Sequence, residues 1–151
     1  MSREDLKNRM VAIETAYEFM LAYAARGMQT DGDSPLRSHL EGTAAALEGI
    51  GDAVRAILDD ASADGELASA SAGPFVDVLE RDAAASLAAI GMVLGRDSIS
   101  SQLIDNLNAS IHLRALLTDL FLLDEALELG VGETSPPAVF APDEEEPFGP
   151  D

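Results

Sequence analysis

An all-α fold, an antiparallel four-helix bundle followed by a disordered acidic tail, is predicted by three features of the sequence. Alanine and leucine dominate, at 25 and 20 of 151 residues, and both are strong helix formers. Apolar residues recur at alternating spacings of four and three through much of the chain, the period of a helix seam. From Glu133 onward that period stops, and 19 residues carry five prolines, six acids and no base. Such a segment cannot bury enough apolar surface to offset its ordering entropy. The predicted division is therefore a bundle over residues 1–132 and a tail over 133–151. The length suits a single domain with its own core.

The first helix is predicted from Arg3 to Arg26, with Ser2 as N-cap and Asp5 three residues on, close to a capping box. Its stripe is Leu6, Met10, Ile13, Tyr17, Met20 and Ala24. The second opens at Ser34 as N-cap with Pro35 in the first helical position, where its missing N–H is harmless. Its stripe runs Leu36, Leu40, Thr43, Leu47, Ile50, Val54 and Ile57. Beside it lie Gly42, Ala46, Gly49, Ala53 and Ala56, a smooth line that predicts close approach of a neighbouring helix. Residues 59–73 read as a linker of small residues. A third helix follows from Pro74 to Leu94, turning inward Val76, Leu79, Ala83, Ser86 or Leu87, Ile90 and Val93. After the tight Gly95–Asp97 connection a fourth helix runs from Ser98 to Leu129, closed by Gly130. At about 1.5 Å per residue it is half as long again as the third, so it must overhang or kink. Asn106, Ser110 and Asp124 interrupt its apolar run, to fix register or to face water.

Two helices carry a second apolar line. On the first it is Ala12, Ala16, Phe19 and Tyr23; on the fourth it is Ile104, Ile111, Ala115, Leu122 and Leu129. A helix with two apolar faces has two neighbours, or one neighbour and a partner chain. A homodimer, or docking of another protein on these lines, is the expectation, with Phe19, Tyr23, Ile104, Ile111, Leu122 and Leu129 as contact residues. The tail adds Phe140 and Phe148, isolated aromatics among acids and prolines, a pattern suited to a groove with a basic rim.

The net charge is −19, with 28 acids against eight arginines and Lys7. Residues 1–26 are neutral, so the later chain carries the whole excess. It either reflects a saline or GC-rich source or steers a basic partner. Direct binding to nucleic acid is not expected, because phosphates need a basic face and this chain has none. With no cysteine, disulfide and thiolate-metal chemistry are excluded. The charged opening MSREDLKNRM does not read as a secretory signal. The longest apolar run, Ala115 to Leu123, is broken by Thr118 and Asp119 and is too short to span a bilayer. A cytoplasmic protein that meets no membrane is expected.

Motif tests for chemistry find little. A di-iron bundle needs two Glu-x-x-His motifs, and the residues three before His39 and His112 are Leu36 and Ala109. The two histidines flank their stripes and remain candidates for holding a ligand or cofactor, although edge histidines more often meet water or a carbonyl. Asp60, Ser62, Asp64 and Gly65 match the start of a calcium loop, but its twelfth position, where a bidentate Glu belongs, is Ser71. Glu14 and Glu18 form an i,i+4 pair best explained as a solvated face. No nucleophile elbow or phosphate loop is present. No cofactor is assigned, and the expected function is non-enzymatic: an accessory or assembly protein that binds a protein partner through apolar helix faces and the acidic tail. The alternatives are a small-ligand or cofactor-binding bundle using His39 and His112 or an interior pocket, and an acidic mimic that blocks a basic nucleic-acid-binding partner.

Overall fold

The computed structural model describes residues 2–67 and 69–129, with the backbone alone for 69–71. The predicted tail with Phe140 and Phe148, and the predicted helix stop at Gly130, lie outside these residues. Among the described residues the fold is all-α: six helices and no strand. They are α1 (Arg3–Ala24), α2 (Leu36–Leu47), α3 (Ile50–Ala63), α4 (Ser69–Leu94), α5 (Ser101–Ala109) and α6 (His112–Leu127).

Helix α1 forms as its sequence predicts. The Ser2 side chain accepts from the Asp5 N–H and the Asp5 carboxylate accepts from the Ser2 N–H, a complete capping box. The Ser2 bonds, backbone first, hold the Asp5 carboxyl below its usual range. The stripe Leu6, Met10, Ile13, Tyr17 and Met20 is buried throughout. The Glu14–Glu18 reading changes, because Glu14 is buried and only Glu18 is exposed.

The second predicted helix is broken in two. Glu48 turns extended (ψ 126°) and Gly49 adopts φ +68°, left-handed backbone that favours glycine. All seven stripe residues from Leu36 to Ile57 are still buried, four on α2 and three on α3. The anticipated close approach at Gly42 and Gly49 is not found, since a Cβ at either would meet nothing within 4 Å. Gly51 is the glycine under pressure, where a Cβ would overlap the Glu80 side chain.

The predicted linker is mostly helix. α3 continues to Ala63 and closes on Gly65 (φ +77°), with Gly65 N–H donating to Ser62 O and Glu66 N–H to Ala61 O. This is a Schellman closure. It places Asp60 and Ser62 inside a helix, so the calcium-loop match corresponds to a helix end. α4 begins five residues before Pro74, which sits inside the helix and forfeits one backbone bond. The long fourth helix breaks at Ser110–Ile111 into α5 and α6, where the Ser110 hydroxyl donates to Leu107 O at 2.6 Å. Of the other interruptions, Asn106 is exposed and Asp124 buried.

α1 packs on α2 and α5, and α4 packs on α3, α6 and α2. One end is knotted by polar contacts. The Tyr23 hydroxyl donates to Ile99 O at 2.6 Å, Ile99 N–H donates to Asp31 Oδ1 at 2.9 Å, and the Ser101 hydroxyl donates to Tyr23 O at 2.6 Å. Three arginines cap helix carboxyl ends: Arg9 donates to Ala46 O and Glu48 O, Arg37 to Leu94 O and Arg96 O, and Arg3 to Leu127 O. In a chain so poor in cations, these sit where the helix dipole and orphan carbonyls are negative.

Candidate functional site

The outer face of α6 is built by a simple periodicity. Leu113, Leu116, Leu120, Leu123 and Leu127 are buried. Ile111, Ala115, Thr118, Leu122 and Ala126, at spacings of four, three, four and four, line the opposite side. Ile111 and Leu122 are 58% and 59% exposed, large apolar groups left in solvent. Eleven residues separate them, three helical turns or about 16 Å, so they share a face.

Two depressions lie along this face. A groove of about 300 Å³ is lined by Leu58 of α3, Leu67 of the following turn, Ala72 and Phe75 of α4, and Leu122, Leu123 and Ala126 of α6. The other, about 370 Å³ and more open, is lined by Ile111, Arg114, Ala115, Thr118 and Asp119. Ile111 holds φ +61°, a conformation a β-branched side chain rarely takes. A strained, exposed and apolar residue at a cavity rim is the kind of outlier found at functional positions.

Asp119 borders the second depression. It is 8% exposed, and its buried Oδ2 meets no N–H or O–H donor. Its neighbour is another carboxyl, Asp82 of α4. Burial, then the hydrogen bond and the charge of Asp82, push the Asp119 carboxyl up to about 7. The two acids meet where α4 packs on α6.

The residues expected to contact a partner divide three ways. Ile111 and Leu122 stand exposed on this face. Tyr23, Ile104 and Leu129 belong to the chain's own core, and Phe19 is half-buried against Tyr23 and His39. Phe140 and Phe148 lie outside the described residues. The His39 ring stacks on Phe19 with centroids 4.4 Å apart, while His112 is exposed at the start of α6. Neither lines either depression. No group of three or more potential metal-ligating side chains occurs among the described residues, and no helix there is long and apolar enough to cross a membrane.

Sequence reasoning missed the Asp82–Asp119 pair, although a signal exists. Asp119 stands three after Leu116 and four before Leu123, and Asp82 stands three after Leu79 and four before Ser86, all four of them buried. Both acids therefore fall on inward stripes. No family model, curated protein or solved structure matches this chain.

Proposed function

We propose that this chain is a non-enzymatic accessory or assembly protein that binds a protein partner of basic character through the outer face of α4 and α6. The observation that carries the reading is the pairing of exposed Ile111 and Leu122 on one face, each at the edge of a depression. Exposed apolar surface beside concavities marks interaction sites. The helices around the groove add exposed acids, Asp59 and Asp60 on α3, Asp77 on α4 and Glu125 on α6. An amphipathic helix with basic flanks complements that surface. The acidic stretch from Asp143 to Glu146 adds four further negative charges that suit a basic partner. In this reading the six helices are four antiparallel rods, with α2–α3 and α5–α6 each one broken rod, in a cytoplasmic protein that also pairs as a homodimer.

The test is a photo-crosslinking side chain at Thr118, compared with one at Glu18 on α1, in cells of the native source. Adducts to another polypeptide from position 118 alone, lost with Leu122→Asp, support the reading. Equal adducts from both positions, or none from 118, overturn it. Native mass spectrometry of the adducts separates a second copy from a different protein.

A further inference from the structure

The groove lined by Leu58, Leu67, Phe75, Leu122, Leu123 and Ala126 is apolar, and Leu122 on it is 59% exposed. We propose that the segment around Val139 and Phe140 of the same molecule docks in this groove and covers Leu122 when no partner is bound. The inference rests on the groove used above but needs no partner.

Three observations support it. The first is the tether. The groove residues of α6 lie within seven residues of Leu129, about 10 Å along the helix. Ten residues carry the chain from Leu129 to Val139 and reach up to about 33 Å when extended. A short tether of this kind supplies a local concentration in the millimolar range, so a weak contact suffices.

The second is the order of residues. Thr134 to Pro142 reads TSPPAVFAP, nine residues without charge between Glu133 and Asp143. This is the longest uncharged run in the last 19 residues, so it meets least repulsion from the exposed Asp59, Asp60, Asp77 and Glu125 of the surrounding helices. Phe148 follows Asp143, Glu144, Glu145 and Glu146 and precedes Asp151, so the exposed acids of the same helices disfavour its approach more. The choice of Phe140 over Phe148 follows from charge.

The third is the fit. A lining that is almost wholly aliphatic and aromatic and about 300 Å³ in volume accepts a phenyl ring with a neighbouring valine. Pro136, Pro137 and Pro142 restrict the backbone around them, which lowers the entropy lost on docking. Phe140 is thereby assigned to the chain's own groove, and a partner on this face competes with it.

The chain contains no tryptophan, so a single one is a clean reporter. In the full chain, Phe140→Trp should emit at shorter wavelength than Phe148→Trp and resist iodide quenching. The difference should hold on dilution and vanish with Leu122→Asp or, as a second route, Ala126→Glu. Both positions are exposed, and far-UV circular dichroism checks that the helices persist. Emission from Phe140→Trp matching that of Phe148→Trp overturns the proposal. A blue shift that appears only as concentration rises also overturns it, and points to a second copy in the groove. Failure here leaves the crosslinking test of partner binding intact.

Discussion

The carboxyl of Asp119 on α6 lies against the carboxyl of Asp82 on α4, with no donor from the protein at its buried oxygen. Burial and the neighbouring carboxylate both disfavour the charged form of Asp119. Because the Asp119 carboxyl rises from 3.8 to about 7, the native chain binds more protons than the unfolded one between those values. Stability therefore falls as pH rises through that window, and the penalty is complete above pH 7. Asp119→Asn supplies an amide donor to Asp82 and removes the penalty. It should stabilise the protein at pH 8 by about 1 kcal/mol, the scale of one repaired buried group. Urea unfolding at pH 5 and pH 8 measures this, and the variant should show the smaller change between them.

Asp31 has the opposite sign. The Ile99 N–H, its main support, and the Arg37 guanidinium hold its carboxyl below the usual range. The stability it contributes is present above the unfolded value of 3.8 and is lost as pH falls below it. Arg37 also caps the end of α4 through the carbonyls of Leu94 and Arg96. Arg37→Ala should cost about 2 kcal/mol, since it removes charge-assisted bonds to orphan carbonyls. Arg55→Ala, which removes only an exposed pair with Glu80, should leave stability near that of the parent. Thermal unfolding of the two variants decides between a capping and a simple charge role.

Tyr23→Phe tests the knot that joins α1 to the α4–α5 connection. The Tyr23 hydroxyl donates to Ile99 O at 2.6 Å in a buried setting. Its loss leaves that carbonyl unpaired, which should cost roughly 1–2 kcal/mol. Denaturant unfolding gives the value, and amide exchange at Ile99 and Ser101 should accelerate first.

Much of the helical order was legible because the apolar period survives wherever it is needed. The stripe from Leu36 to Ile57 is buried along its whole length. What the period does not record is that the backbone leaves the helix at Glu48 and resumes at Ile50 with the stripe unbroken. Gly49 signals that event only through its freedom at positive φ, a property that reads equally well as close packing. Asp60 to Gly65 shows the same ambiguity, because Asp, Ser and Gly furnish both ion-binding loops and helix ends. At the candidate site, Ile111 and Leu122 were visible as a second apolar line. Tyr23, Ile104 and Leu129 shared those lines but are buried by this chain. Their fate depends on which helices lie beside them, information that a single helix's pattern does not carry.

Gly49→Ala follows from that break. A side chain at φ +68° places Cβ against the following carbonyl, and nothing nearby compensates. The change should cost about 1 kcal/mol. Were the break dispensable, alanine would instead stabilise by favouring a continuous helix, so the sign in a urea melt settles the role of Gly49.

Ile111 presents the reverse case, a β-branched residue held at φ +61° where glycine would be comfortable. Its side chain is more than half exposed and adds little to the core, so packing does not explain the strain. Ile111→Gly should raise stability by roughly 1 kcal/mol by relieving the left-handed backbone. The same change strips the rim of the depression beside Asp119 and should reduce crosslinking from Thr118. Higher stability with lower crosslinking is the signature of strain retained for binding. Higher stability with unchanged crosslinking would restrict the contact surface to the Leu122 end of the helix.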